Sequence, residues 1–314
     1  MFKFKTPQKE TLELMSDVIK GNNKSNFEEK SIEKIKSLTS KNNVLITSSG
    51  NNSILIALSS IKGDIIIPDE GGWHGFKQIA KFLNKDIVTL KTDTGIINTE
   101  YINEINIKDN SALIFTSFAG YCGEQDVKNI NKYCKKEDII TIEDSSAGIG
   151  DKKDLGKYSD VILASTGSPK MINVGSGGFI ATNNEDIFKK SKVPQKLSKT
   201  SQIICSGIYS ELNNVKKNLE DTLNATEYIK KSIPNTIHKN KRGINVIIPH
   251  DNSKSICWNL KQKLTTDKHG FITNCPNYNR VKQKAICIEI KNLDYKCLNK
   301  KNLDIIIEEV KSQL

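Results

Sequence analysis

Arginine is nearly missing from this chain of 314 residues: of its 47 basic side chains, only Arg242 and Arg280 are arginines. The formal charge of +11 could draw a nucleic acid or an anionic substrate. Arginine, however, is the side chain suited to bidentate phosphate and base contacts, whereas the charge here is lysine scattered along the whole sequence. A dedicated nucleic-acid surface is therefore not expected. Long apolar runs are missing too: none approaches the roughly 18–20 residues that cross a bilayer. The start, Met1-Phe2-Lys3-Phe4-Lys5-Thr6-Pro7, has no apolar leader core. No membrane partner and a cytoplasmic address are expected. The seven cysteines form no Cys-x-x-Cys pair, and His74, His238, His250 and His269 do not cluster with them. Reduced thiols and no metal site follow. Internal repeats and low-complexity linkers are also lacking.

What is present fits a globular protein, with 37% apolar and 26% charged residues and enough length for one large domain plus a smaller one. Residues 1–39 read as a helical segment. Leu12, Leu14, Met15, Val18 and Ile19 repeat at helical spacing, as do Ile32, Ile35 and Leu38, with turn-rich Gly21–Ser25 between them. From residue 40 to about 215, short apolar strands alternate with helices. Strands are expected at Val44–Thr47, Asp64–Pro68, Asp86–Leu90, Ala112–Ser117, Ile139–Ile142, Asp160–Ala164 and Gly178–Thr182. Helices are expected at Ile54–Ile61, Trp73–Leu83, Asn98–Asn103 and Asp126–Cys134. This is the pattern of an α/β domain with a mostly parallel sheet covered on both faces. A long helix over 209–233 then leads into a small α+β domain, 216–314, with strands at Gly243–Pro249, Phe271–Asn274 and Ala285–Ile290. Helices are expected there at Ser253–Leu264 and Lys301–Leu314.

In such sheets ligands gather at the carboxyl ends of the strands. Four features fall at that edge, the loop 69–73 among them. The small-residue turn Ser48-Ser49-Gly50-Asn51-Asn52-Ser53 precedes a helix and would aim backbone N–H groups at an anion. The strand Ile139–Ile142 runs into Glu143-Asp144-Ser145-Ser146. The loop Ser165-Thr166-Gly167-Ser168-Pro169-Lys170 carries one lysine, and Gly175-Ser176-Gly177-Gly178-Phe179 follows it. Each alone has an ordinary reading: helix capping for the turn and for Asp144, a solvated surface for Lys170.

Together and in this order, the motifs resemble fold-type I enzymes that use pyridoxal 5′-phosphate (PLP), and most of all the DegT/DnrJ/StrS aminotransferases. The resemblance covers residues 40–190. It implies a PLP-transferase-like (aspartate aminotransferase-like) large domain, a homodimer, and transfer of an amino group from a small-molecule donor to a keto acceptor, a sugar among the candidates. It implies that Lys170 forms the internal aldimine and then moves a proton at the substrate α-carbon. A lysine in that role needs a lowered pKa, which burial beside the sheet would supply. Asp144 is expected against the pyridinium nitrogen. Asn51, Asn52, Ser53 and Ser165 are expected on the cofactor phosphate, and Trp73 stacked on the ring, although Trp73 could equally be core. Arg280 is the candidate clamp for a substrate carboxylate, with a surface arginine as its alternative.

Departures from the family pattern stand beside these matches. Ala147 replaces the usual Gln or His, and no Asn or Arg occurs in Ser206-Gly207-Ile208-Tyr209-Ser210, where Tyr209 is the possible substitute. Two other readings follow. One is a PLP lyase or sulfur-transfer enzyme with Cys122, Cys205 or Cys275 as nucleophile. The other is a non-catalytic relative that binds RNA or a partner.

Overall fold

A computed structural model describes residues 1–314. Its centre is a seven-stranded sheet. The strands are β1 (Asn43–Thr47), β2 (Ile65–Pro68), β3 (Ile87–Leu90), β4 (Ala112–Thr116), β7 (Ile140–Asp144), β8 (Val161–Ser165) and β9 (Gly178–Thr182), with a two-residue hairpin, β5 (Phe118–Ala119) and β6 (Gly123–Glu124), after β4. Their order is β1-β9-β8-β7-β4-β2-β3, parallel from β8 through β3, with β9 antiparallel to both of its neighbours.

The continuous apolar runs have a simple cause: alternate residues feed two different cores. Ile66, Leu113, Phe115, Ile162 and Ala164 enter one core, while Ile65, Ile67, Ala112, Ile114, Val161 and Leu163 enter the other. A strand buried on both faces has no polar position to spare. The first face is covered by α2 (Phe27–Thr39), α5 (Val127–Lys136) and α8 (Gln202–Glu211), with α1 (Lys9–Ile19) packed on α8. The second face is covered by α3 (Gly50–Ser60) and α4 (His74–Phe82), with the short α6 (Glu185–Lys190) and α7 (Lys192–Leu197) against α3.

The long helix expected over 209–233 is two helices, α8 and α9 (Val215–Ser232), separated at Leu212-Asn213-Asn214. Helix α9 joins the two cores: Val215 and Leu219 pack in the first, Ala225 and Ile229 in that of the small domain. The small domain is an antiparallel sheet of β10 (Val246–Pro249), β12 (Ala285–Ile288) and β11 (Ile272–Cys275), with α10 (Ser253–Lys263) and α11 (Lys300–Lys311) on it. Residues 2–4 reach across to this domain, since Phe2 bridges Thr266 and Phe4 bridges Leu293. No helix is long and apolar enough to cross a membrane.

Candidate active site

The carboxyl ends of β1, β7 and β8 open on a cavity of 350 Å³. Its lining includes Asn51, Trp73, Tyr121, Asp144, Ser146, Ser165 and Lys170 from the large domain, and Asn279, Arg280 and Lys291 from the small one. Most of the expected site residues therefore meet in one place, and four that were not expected (Tyr121, Ser146, Asn279 and Lys291) join them.

The turn before helix α3 lies earlier in the chain than the sequence suggested. Helix α3 starts at Gly50 rather than Ile54, because Ser49 caps it: the Ser49 hydroxyl accepts from the Asn52 N–H at 3.2 Å. The Ser53 N–H is taken by the Ser49 carbonyl at 3.2 Å. The N–H groups of Gly50 and Asn51 find no protein acceptor, as the first turn of a helix requires. Gly50 is demanded by close approach, since a Cβ there would lie 2.5 Å from that of Ser165. Asn51 lines the cavity, its Oδ1 accepting from Trp73 Nε1 at 3.0 Å. Asn52 and Ser53 do not line it. The Asn52 amide turns back to Ser48, and Ser53 is buried against the Thr47 hydroxyl at 2.8 Å.

Asp144 ends β7 and is oriented by its own turn. Ser146 donates to Asp144 Oδ1 from both N–H (3.0 Å) and hydroxyl (2.5 Å), and the Ser146 hydroxyl accepts from Ser165 N at 2.8 Å. The ends of β7 and β8 are thereby locked together, and Asp144 Oδ2 accepts no bond from the protein. The Ser165 hydroxyl is engaged by the Gly167 N–H at 3.2 Å.

Lys170 Nζ lies 3.4 Å from the Tyr121 hydroxyl and 5.8 Å from the centre of the Trp73 ring. The pKa direction expected from burial alone is overturned here. Burial does pull the Lys170 amine down, but Tyr121 and Asp144 outweigh it, and the pKa rises above its ordinary value. Tyr121 is perturbed the opposite way. Burial pushes its phenol up, but the charges of Lys170, Lys291 and Arg280 win and lower it. The Arg280 guanidinium stands 4.6 Å from the Tyr121 ring centre and Lys291 Nζ 5.1 Å from it. Tyr121 also occupies left-handed backbone space, φ 64°, which is uncommon for a bulky residue. Its carbonyl is held there by the N–H groups of Ile244 (2.8 Å) and Asn245 (3.0 Å).

Arg280 reaches the cavity but is not a free clamp. Its Nε and Nη2 donate to the two carboxylate oxygens of Glu289 at 2.7 and 2.8 Å, and Nη1 donates to the Asn279 carbonyl at 2.7 Å. Glu289 also accepts from Asn245 Nδ2 at 2.7 Å and lies 3.3 Å from Lys291 Nζ. Burial would raise the Glu289 carboxyl, but Lys291 and Arg280 hold it down at about 2. Glu289 and Lys291 were missed, although Cys287, Glu289 and Lys291 alternate with Ile286, Ile288 and Ile290 at strand period. Tyr121 was missed because aromatic residues are most often core; its signal was the Gly120-Tyr121-Cys122-Gly123 turn after a buried strand. Ser146 had no signal apart from its proximity to Asp144.

The expectation of a cysteine nucleophile changes. Cys122, Cys205 and Cys275 are buried and line no part of the cavity. Burial pushes the Cys122 and Cys205 thiols up to about 12 and raises Cys275 as well, the reverse of an activated nucleophile. Tyr209 sits within α8, tilted on Phe27 at 5.7 Å with Lys34 Nζ over its ring at 3.8 Å, and is not in the cavity wall. Ala147 is buried in the core beneath the site.

The sequence model of the DegT/DnrJ/EryC1/StrS aminotransferase family matches residues 6–218, and that of the MJ1341 family C-terminal domain matches residues 216–311. Uncharacterized protein MJ1066 of Methanocaldococcus jannaschii is 31% identical over 109 residues, a match spanning 34% of this chain and only 28% of that protein. Among solved structures, Helicobacter pylori PseC is an aminotransferase involved in the biosynthesis of pseudoaminic acid. It is 16% identical with a TM-score of 0.76, over 100% of this chain and 98% of its own. NtdA from Bacillus subtilis, with bound cofactor PMP, is 17% identical with a TM-score of 0.76, covering 98% of this chain and 82% of its own. Sphingomonas wittichii serine palmitoyltransferase is 11% identical with a TM-score of 0.77, covering 98% and 84%. At such identities the structural likeness establishes the fold, that of fold-type I PLP enzymes. The family match takes in the whole large domain, and the chain belongs to the PLP-dependent DegT/DnrJ/EryC1/StrS aminotransferase family.

Proposed function

We propose that this protein transfers an amino group from a small donor to a polar keto acceptor, a keto sugar being the leading class, with Lys170 as its catalytic amine. The observation that carries the reading is one cavity onto which Lys170, Asp144 and the start of α3 all open. The residues fit PLP. The Gly50 and Asn51 N–H groups and the Ser165 hydroxyl are donors for a phosphate at a helix N-terminus. Asp144, fixed by Ser146, offers its second oxygen to a ring nitrogen, and Trp73 offers a flat face tethered by Asn51.

When bound, PLP supplies an electron sink that makes a substrate C–H acidic. The protein's part is to place groups around that sink. Lys170 holds the cofactor and carries the proton to and from the substrate carbon. Tyr121, 3.4 Å from Lys170 Nζ, exchanges a proton with it, a perturbed acid and base in contact. Arg280 and Lys291 present positive charge to an anionic part of the substrate, with Glu289 fixing their position rather than leaving them free. The lining is mostly polar, which suits a hydroxyl-bearing acceptor. The protein is proposed to act as a homodimer, which sedimentation would check.

The test is spectroscopic and then chemical. PLP added to the protein is expected to produce a visible absorbance band that borohydride bleaches, leaving a reduced adduct on the peptide containing Lys170. Lys170→Ala is expected to fold normally and to lose the adduct together with at least about 10⁴-fold of activity. An unchanged band in that variant sinks the assignment. Release of sulfide or pyruvate from cysteine, in place of amino exchange with glutamate, would move the protein to the lyase reading.

A further inference from the structure

A second cavity, of 600 Å³, shares no residue with the first. Three stretches form it: the turn Gly150–Lys153 of the large domain, the α9 face from Lys216 to Lys231, and the loop Lys239–Gly243. Its lining carries eight cationic side chains and three carboxylates, a greater imbalance than the chain's 47 to 36. Each carboxylate already has a partner. Asp151 binds Arg242 at 2.8 Å, Glu220 binds Lys152 at 2.7 Å, and Glu227 binds Lys231 at 2.5 Å. The ammonium groups of Lys153, Lys216, Lys239 and Lys241 have no carboxylate within ion-pair distance. Four uncompensated charges therefore surround one concave space, where low-dielectric walls concentrate their field.

The concavity is built rather than a chance meeting of loose lysines. Lys230 lies beneath the loop, donating to the carbonyls of Cys122 (2.6 Å), His238 (2.9 Å) and Lys241 (2.9 Å). Arg242 is clamped between Glu124 and Asp151. Those bonds fix the loop Lys239–Gly243 to the large domain with the charged side chains outermost. The lining also limits the ligand. Leu219 and Leu223 are its two apolar residues and it has no aromatic ring, so neither an apolar molecule nor a stacked base has a surface to rest on.

We infer that this cleft binds a compact polyphosphate anion, a diphosphate or triphosphate group, free or carried by a nucleoside that stays in solvent. Such a ligand would bridge the large domain, α9 and the small domain. The inference does not depend on the catalytic proposal, since the two cavities are separate.

The test is calorimetric titration of the full chain, saturated with PLP so that the phosphate donors at Gly50 are taken. The probes are inorganic pyrophosphate, UDP, uridine and a single-stranded oligouridylate. Pyrophosphate and UDP are expected to bind with one site per chain and within about threefold of each other, weakening as salt rises, with uridine inert. The combined variant Lys153→Gln, Lys216→Gln, Lys239→Gln, Lys241→Gln, all exposed positions, is expected to lose at least about tenfold in affinity while keeping its melting temperature. No heat with pyrophosphate, or binding unchanged in the combined variant, overturns the inference. Oligouridylate affinity that exceeds pyrophosphate and grows with length also overturns it, in favour of a nucleic-acid groove.

Discussion

The cavity around Lys170 has two walls built by opposite electrostatic means. On the large-domain wall, each group is held by short bonds to near neighbours in sequence or in the sheet: Asp144 by Ser146, Ser146 by Ser165, and α3 by Ser49. These are mostly bonds between a polar donor and a single acceptor, each contributing of order 1 kcal/mol. On the small-domain wall, a wholly buried carboxylate, Glu289, binds a guanidinium, lies against an ammonium and accepts from an amide, with Asn245 and Lys291 drawn from different stretches. Removing one member of such a network strands the others away from water, which costs more than the bonds are worth while all are present. The first wall tolerates local change, whereas the second stands or falls as a unit.

The sharpest way to break that contrast is Glu289→Gln. The variant keeps shape but leaves Arg280 and Lys291 buried without a counter-charge, at an expected cost of about 3–5 kcal/mol in stability. Urea denaturation at neutral pH measures it. A loss below about 1 kcal/mol would show that the network is no stronger than the neutral bonds opposite. The pH range is set by sign. The Glu289 carboxyl is depressed to about 2 from its ordinary 4.5, so its contribution is present above the ordinary value and fades as pH falls towards 2.

The same contrast explains which parts of the molecule were legible in the sequence. Strands buried on both faces, such as Ala112–Thr116, announce themselves as unbroken apolar runs. Asp144 and Lys170 could be found because each lies at or just beyond a strand end, in an order that matches a known family. The small-domain wall could not be found that way. Glu289 joins Asn245 across 44 residues of sequence, and no local pattern encodes a contact of that length. Arg280 was noticed, but its sequence neighbours gave no sign that Glu289 would occupy its donors. The turn expected at 48–53 ends at Ser49, and residues 50–53 already belong to α3. Asn51, Asn52 and Ser53 are all good capping residues, and only the three-dimensional placement of Ser49 shows which residue caps.

Tyr121 stands where the walls meet, bonded to Lys170 of the first and flanked by Arg280 and Lys291 of the second. Tyr121→Phe keeps the ring and removes the proton. The expected result is a fall in kcat of about 100-fold with little change in KM. A structural role alone would leave the pH profile in place. A proton-exchanging role predicts that it moves: Lys170 loses the partner that raises its pKa, and the limb of kcat set by the released Lys170 amine then shifts to lower pH. A variant with full kcat and an unmoved limb would remove Tyr121 from the chemistry and leave it as a spacer between the walls.

Behind the large-domain wall, beside Asp144 in β7 but outside the cavity lining, lies a buried carboxylate that makes a finer test. Glu143 accepts from the Ser117 hydroxyl (2.6 Å), Gly156 N (2.9 Å) and the Ser159 hydroxyl (3.2 Å), with no cation bonded to it. Burial pushes its carboxyl up to about 7, only partly offset by those donors, whereas Glu289 moved the other way. Between the ordinary value of 4.5 and about 7 the native state binds the extra proton, so the stabilising contribution is full below 4.5 and is lost as pH rises through 7. Glu143→Gln cannot ionise and keeps Oε1 for Ser117 and Gly156. It is expected to match the unaltered protein within about 1 kcal/mol at pH near 5 and to become the more stable of the two above pH 7, read from melting temperatures across that range. A difference that stays constant with pH would mean that Glu143 is ionised throughout. The two walls would then share one electrostatic design, and the contrast drawn from Glu289 would reduce to the number of cations present.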